Sequence, residues 1–335
     1  MICSEAKLNS RLFNKDIELM ATRDGFGEGL VLAAEENLNV VVLSADVAKS
    51  TRCDRFAEKF PERFFQLGIA EQNLAGVAAG FAVSGKIPFI SSYAVFSPGR
   101  NWEQIRTTIA YNDSNVKIAG HHSGLLTGYD GATHQALEDI ALMRVLPNMR
   151  VIVPCDAIEA KKATTTAAKI LGPIYIRLSR EKTPVLTTEE TPFIPGKMEI
   201  FWHPSTGSGL KKPEVAIISC GPIIYNALLA AYELEEEKIG TIVANSHTIK
   251  PLDENKIIEL AKKCGAIVTV EEHSIFGGLG SAVAEVLAKN KPVPMEFVGT
   301  KDVFGESGPP NSLIEKYGLG VNDIKTAVKN VLKRK

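Results

Sequence analysis

The chain has 335 residues, 45% of them apolar and 23% charged, with a formal net charge of −1. That is enough chain for two domains, and the balance is that of an ordinary soluble globular protein. Neutrality offers no basic face to nucleic acid or an acidic membrane surface, and no apolar run approaches the roughly 20 residues of a membrane span. The five cysteines (Cys3, Cys53, Cys155, Cys220 and Cys264) are scattered, without a CxxC pair or a zinc-like histidine spacing. The mixed-charge N-terminus has no apolar signal core. The expectation is a cytoplasmic protein with buried, reduced thiols and no metal site of its own.

Residues 1–13 read as a loose leader, and the apolar spacing predicts a helix from Asp16 to about Leu38. Asp24-Gly25-Phe26-Gly27-Glu28-Gly29 has the look of a dinucleotide loop, but no strand precedes it, so a helix break or packing site is the better reading. Val40-Val41-Val42-Leu43 predicts a buried strand ending at Ser44-Ala45-Asp46. Arg55 to Phe60 is a short helix. Phe64-Phe65-Gln66 is a strand, Gly68 a tight turn, and Glu71 opens a helix continuing as Leu74-Ala75-Gly76-Val77-Ala78-Ala79-Gly80-Phe81. That helix is apolar all round and should be buried. A carboxylate leading into it has free backbone N–H groups nearby, and must pair, take a hydrogen-bonding ligand, or keep its proton.

Ile87 to Ser92 predicts the next strand, emptying into the aromatic loop Tyr93-Ala94-Val95-Phe96-Ser97-Pro98-Gly99. Trp102 to Tyr111 is a helix, and Val116 to Gly120 a strand followed by a polar loop holding His121, His122, Asp130 and His134. Helix (Glu138–Val145), strand (Arg150–Val153), helix (Ile158–Leu171) and strand (Ile174–Leu178) follow, the last ending in Ser179-Arg180. Alternating strands and helices argue a doubly wound, mostly parallel α/β sheet. Right-handed crossovers then put Asp46, Glu71, Tyr93, His121, Asp130, His134 and Arg180 at one edge, where such sheets bind ligands.

Residues 14–182 thus form a first domain. Residues 183–213, rich in Pro, Thr, Ser and Gly, read as a linker in which Trp202 and His203 serve packing. Residues 214–335 form a second, smaller α/β domain with strands at Glu214–Ser219, Thr241–Ala244, Ala266–Val270 and Met295–Val298. Its Phe276-Gly277-Gly278-Leu279-Gly280 run precedes a helix and could cradle a phosphate, although close packing accounts for it better. Glu271-Glu272-His273 has poor metal spacing, because adjacent residues point different ways.

The ordered pieces Ala21-Thr22-Arg23, Ser44-Ala45-Asp46 with Ser50, Gly68-Ile69-Ala70-Glu71, Ser92-Tyr93-Ala94-Val95-Phe96, His121-His122-Ser123, Gly128-Tyr129-Asp130-Gly131-Ala132-Thr133-His134-Gln135 and Leu178-Ser179-Arg180 resemble the transketolase family. Residues 23–180 are similar to its pyrimidine-binding domain and 214–320 to its C-terminal domain. The resemblance implies thiamine diphosphate, with the Glu71 carboxyl hydrogen-bonding N1′ of the aminopyrimidine so that the cofactor provides its own base. It implies Tyr93 and Phe96 as the aromatic pocket, Asp46 near the cofactor, and His121 and His134 as groups acting on substrate hydroxyls and carbonyl. His122 is an alternative to His121, since this loop runs one residue longer than the usual pattern. Asp130 would take a sugar hydroxyl, and Arg23, Ser50 and Arg180 the substrate phosphate. A third aromatic is usual three residues after Phe96, where this chain has Gly99.

The family's Gly-Asp-Gly run and downstream Asn, which hold Mg2+ and the diphosphate, are missing. The resemblance therefore implies the C-terminal subunit of a split transketolase transferring a two-carbon ketol unit between sugar phosphates, in a heterotetramer whose N-terminal subunit binds Mg2+. The similar enzymatic alternatives are the β subunit of a 2-oxo acid dehydrogenase and a deoxyxylulose-phosphate synthase. A scaffold subunit without cofactor is the alternative of another class; four site groups at one edge argue against it.

Overall fold

The first helix begins later than its periodicity suggests. In the computed structural model, which describes residues 1–205 and 212–335, Leu19–Ala21 is a short strand, β1, and the helix α1 is Thr22–Glu36. There follow β2 (Val40–Ser44), α2 (Ala48–Thr51), α3 (Asp54–Lys59), β3 (Phe64–Gln66), α4 (Glu71–Val83) and β4 (Ile87–Tyr93). The predicted helix at Trp102 starts as a turn of α-helix, α5 (Trp102–Gln104), and continues in π-helical geometry over Ile105–Ala110. Next come β5 (Lys117–His121), α6 (Asp139–Arg144), β6 (Arg150–Ile152), α7 (Ala157–Lys169), β7 (Ile174–Arg177) and β8 (Lys182–Pro184). The second half holds β9 (Glu199–Trp202), β10 (Val215–Ser219), α8 (Ile224–Glu236), β11 (Thr241–Asn245), β12 (Thr248–Lys250), α9 (Glu254–Cys264), β13 (Ile267–Ser274), α10 (Leu279–Asn290), β14 (Met295–Thr300), α11 (Pro310–Lys316) and α12 (Val321–Leu332).

A seven-stranded sheet runs in the order β12-β6-β7-β5-β4-β2-β3, and a five-stranded sheet in the order β14-β13-β10-β11-β9. Both are parallel except at one edge, where β12 and β9 run antiparallel. The strands β2, β5, β7, β10 and β11 are buried at every position, as expected of parallel strands covered on both faces. The α/β fold with mostly parallel sheets is thus as the alternation predicts.

The two halves share more than a linker. Thr248 and Lys250 pair with Ile152 and Val151, so a strand of the second half closes the edge of the first sheet. One continuous apolar cluster joins Leu43, Leu74, Ile90 and Ile118 of the first half to Ile218, Ile257, Leu279 and Val283 of the second. A second cluster lies under α8 and α12, and a third between α1, α7 and the first sheet.

Three expectations are corrected. The N-terminal residues are not a loose leader: Leu12 and Ala6 are buried, and the Cys3 N–H donates to Phe201 O at 3.0 Å. The stretch read as linker contributes β9, with Trp202 buried and paired to Val243; residues 206–211 of that stretch lie outside the described residues. The helix α4 is not buried all round. It buries Leu74, Ala75, Ala78 and Ala79 but exposes Asn73, Gly76, Gly80 and Val83.

The glycine run in α1 is a packing seam. A Cβ on Gly25 would lie 1.8 Å from Ala157 O, and one on Gly29 would lie 2.7 Å from Thr164 Cβ, so α1 sits against α7 at a distance only glycine permits. The Gly277–Gly280 turn is no phosphate cradle. The carboxylate of Glu271 already accepts from Leu279 N at 2.7 Å and Gly280 N at 2.8 Å, and a Cβ on Gly278 would meet that carboxylate at 2.0 Å. The protein's own anion occupies this helix start. His273 is buried and receives Ala141 N at 3.4 Å, so Glu271 and His273 serve packing. Among the described residues no three His, Cys, Asp or Glu side chains gather to hold a metal ion. Nor is any helix among them long and apolar enough to cross a membrane.

Candidate active site

Glu71 is the first residue of α4, set there by the turn at Gly68, whose φ of +72° suits glycine. Its side chain is 1% exposed. Ser92, at the end of β4, donates its hydroxyl to Oε1 at 3.1 Å, and Arg100 donates to Oε2 at 2.5 Å. Asn101 Nδ2 ties Glu71 O at 3.0 Å and Ser97 Oγ at 3.2 Å. The buried carboxylate is thus paired, one of the three fates open to it. The Arg100 guanidinium also lies over the Phe96 ring, 4.5 Å from its centroid, in cation–π geometry.

Sequence reasoning missed Arg100 because the aromatic spacing drew attention to Gly99. A Cβ at Gly99 would fall 2.0 Å from Val95 O, so no third aromatic can stand there. The turn that excludes it delivers Arg100, the next residue, to Glu71. A basic residue just after an aromatic loop that faces a buried acid was the available signal.

The aromatic loop lies beside the histidines. The rings of Tyr93 and Phe96 are 6.1 Å apart and nearly parallel. His134 stands edge-on to both, at 6.1 Å from Tyr93 and 5.4 Å from Phe96. Its Nδ1 is hydrogen-bonded to Thr133 Oγ1 at 2.9 Å, which fixes the ring and leaves Nε2 for other work.

Of the two adjacent histidines, His122 packs on the aromatic loop and His121 faces α1. His121 keeps the strand register of β5 and packs edge-on against Phe26 of α1 at 4.8 Å, fully buried. His122 has φ +51°, the left-handed region, which turns the chain and sends the ring the other way. It stacks on Tyr93 at 4.1 Å and meets Arg23 Nη1 at 3.1 Å. Burial first, then the charges of Arg23 and Arg180, push His122 down to about 3, so the neutral ring accepts the Arg23 hydrogen bond at pH 7. Burial likewise holds His121 well below the usual imidazole range.

Arg23 also donates to the backbone carbonyl of Ser50 at 2.9 Å. Arg180 Nη1 binds Asp130 Oδ1 at 3.0 Å and Thr127 O at 2.9 Å. The groups expected at one edge are thus joined as Arg23–His122–Tyr93–Phe96–His134 and as Arg180–Asp130. Asp46 stands at the end of β2 on the same edge, exposed, with φ +63° and its N–H on Gln66 Oε1 at 2.7 Å. Arg23 Nε and His122 Nδ1 are buried and make no hydrogen bond among the described residues. Both ring nitrogens of His121 are likewise buried and without a partner among the described residues. The unanswered guanidinium N–H of Arg23, beside the His122 ring, is what a terminal anion would satisfy.

Residues 18–185 match the transketolase pyrimidine binding domain, and residues 210–324 the transketolase C-terminal domain. The chain belongs to the transketolase family. The family's pyrimidine-binding domain implies thiamine diphosphate binding. A protein named putative transketolase C-terminal section, from Methanocaldococcus jannaschii, is 43% identical over 93% of this chain and 96% of its own length. A 6-deoxy-6-sulfo-D-fructose transketolase subunit from a Clostridium species is 38% identical over 96% of this chain and 98% of its own. The transketolase of Rattus norvegicus is 33% identical over 93% of this chain, but that match spans 49% of the rat protein. Among solved structures, a split-gene transketolase described as an inactive beta4 tetramer superposes with TM-score 0.85 at 48% identity, over 94% of this chain and 99% of that one.

Proposed function

We propose that this chain is the C-terminal subunit of a two-chain transketolase that transfers a two-carbon ketol unit between sugar derivatives carrying a terminal anion. The observation that carries the reading is the buried Glu71 carboxylate at the mouth of α4, within one loop of the Tyr93, Phe96 and His134 rings. The residues fit the cofactor: a buried acid for a ring nitrogen, and two aromatic rings for a flat heterocycle. When bound, thiamine diphosphate would supply the nucleophilic carbon and the electron sink. Glu71 would share a proton with the pyrimidine N1′ once Arg100 turns aside from Oε2. Asp46 would lie near the same cofactor.

His134 Nε2 is free to exchange a proton with a substrate hydroxyl or carbonyl, and Asp130, held by Arg180, would accept a sugar hydroxyl. Arg23, His122, the Ser50 segment and Arg180 would clamp the terminal anion. A phosphate and a sulfonate both fit that chemistry, in keeping with relatives named for 6-deoxy-6-sulfo-D-fructose and for apulose 4-phosphate. His121 would lie beneath this clamp, packed on Phe26, with its two ring nitrogens unpartnered among the described residues.

The second subunit enters the proposal on two grounds. Relatives matched over nearly their whole length are named as a C-terminal section and as transketolase subunits. The exposed Asn73, Gly76, Gly80 and Val83 face of α4 suits close approach of another chain. The partner would bring Mg2+ and the diphosphate contacts, and a heterotetramer is the expected assembly. The test is reconstitution with an N-terminal transketolase subunit, thiamine diphosphate and Mg2+, offering xylulose 5-phosphate, 6-deoxy-6-sulfofructose and apulose 4-phosphate as donors to an aldose phosphate. Transfer with both chains present and none with this chain alone is the expected result. Turnover of a 2-oxo acid instead, or full transfer by this chain alone, would overturn the reading.

A further inference from the structure

Asp130 and His134, placed at the substrate under the proposed function, lie on one loop, closed at its base by the Ser123–Ala136 bridge and by Gly124 N donating to Ala136 O at 2.9 Å, with His122 just before it. Much of what holds that loop from outside comes from the second half of the chain. The Glu272 carboxylate of β13, 2% exposed, accepts Leu126 N at 2.6 Å. Gly124, with φ +77°, would put a Cβ 2.2 Å from Glu272 Oε1, so the loop is pressed directly onto that carboxylate. Farther out, Ser307 donates its hydroxyl to Tyr129 O at 2.7 Å, Gln135 Nε2 bridges Gly128 O and Glu306 O, and Pro310 of α11 packs on Gly128. Arg177 fixes the base, donating from Nη2 to Ala136 O at 3.1 Å and to Glu272 O at 2.9 Å while its Nε binds Asp139.

We propose that the C-terminal half positions this substrate loop, with Glu272 as the anchoring residue acting through the Leu126 amide and Ser307 as a second, outer anchor. The inference rests on the loop role given under the proposed function. The physical argument is one of alternatives. A loop of this length, rich in glycine, gains little order from its own contacts, and orienting two catalytic-distance groups requires support from a rigid element. Among the described residues the buried Leu126 N–H finds its partner in the Glu272 carboxylate; without it the donor is orphaned and the 3-10 turn loosens.

Three variants of the full chain, assembled with its N-terminal partner, test this. Glu272→Gln keeps an oxygen acceptor for Leu126 N, whereas Glu272→Ala removes it; Ser307→Ala cuts the outer anchor at a site where no folding defect is expected. Hydrogen exchange of the amides in 124–135 should accelerate at least tenfold in Glu272→Ala and severalfold in Ser307→Ala, but stay near wild type in Glu272→Gln, with 64–83 unchanged in all three. The KM for the sugar substrate should rise about tenfold in Glu272→Ala with a smaller fall in kcat, and Glu272→Gln should restore it. Unchanged exchange in 124–135 for both Ala variants, in folded protein, would overturn the proposal. Loosened exchange with an unchanged KM would leave the brace standing and instead refute the substrate role of the loop. If Glu272→Ala fails to fold, Ser307→Ala decides alone.

Discussion

At the scale of single residues, Arg100 is the group with the clearest consequence. Arg100 donates to Glu71 Oε2; on the proposed function, that oxygen is the one a cofactor ring nitrogen would take, and Arg100 would be its placeholder. An ion pair with a partner that is 46% exposed contributes about 1 kcal/mol. Arg100→Met should therefore lower the melting temperature of the free chain slightly and tighten thiamine diphosphate binding by about fivefold, as measured by titration calorimetry on the two-chain complex. Weaker binding would make Arg100 a cofactor ligand. The histidine pair gives a second test. Because the folded state holds His122 at about 3 rather than 6.5, the stability it lends is complete above pH 6.5 and is lost as pH falls toward 3. Denaturant unfolding of His122→Asn should depend less steeply on pH across that window. The same variant should raise the KM for an anionic sugar about tenfold or more, since it removes a contact within the Arg23 clamp.

Among the elements, the α1–α7 seam carries the sharpest prediction. Gly25 lies against the backbone of Ala157, which has no flexible end to move, so Gly25→Ala should destabilise by about 3 kcal/mol, the upper end of overpacking costs, by denaturant melts. This scale also shows what could be read beforehand. The buried strands were legible from runs such as Val40 to Leu43, and the strand-end groups from alternation alone. The α1 glycines were legible only as a choice between loop and packing, which the neighbouring helix resolves. β9 was hidden because Glu199–Trp202 mixes polar and aromatic residues amid prolines and glycines, and its strand state comes from pairing with β11, a partner distant in sequence. His121 and His122 were legible as a pair, but the choice between them was not, because a left-handed residue at a strand end changes which way each ring points. Arg100 was hidden because its role depends on a turn that bars a side chain at Gly99.

Across the whole molecule, the two halves meet through buried polar groups as well as apolar ones. Glu159 of α7 receives Asn245 Nδ2 of β11 at 2.8 Å and Cys155 N at 2.6 Å. Burial, with Asp156 adding to it, lifts this carboxyl to about 8 from an ordinary 4.5. A raised folded value means that its contribution is complete below pH 4.5 and is lost as pH rises through 8. Glu159→Gln, which keeps an oxygen acceptor, should flatten the decline of stability between those values in thermal melts at stepped pH. The shared core and the crossing strand β12 also mean that the halves should unfold together, in keeping with a second half that braces the first.

The central claim is that one carboxylate on this chain activates a cofactor in a site completed by another subunit. Its most direct test is the ketol-transfer rate of the two-chain complex carrying Glu71→Gln, compared with wild type at saturating thiamine diphosphate. A loss of at least about 100-fold, with assembly and melting temperature close to wild type, is predicted. A rate within threefold of wild type would contradict the claim.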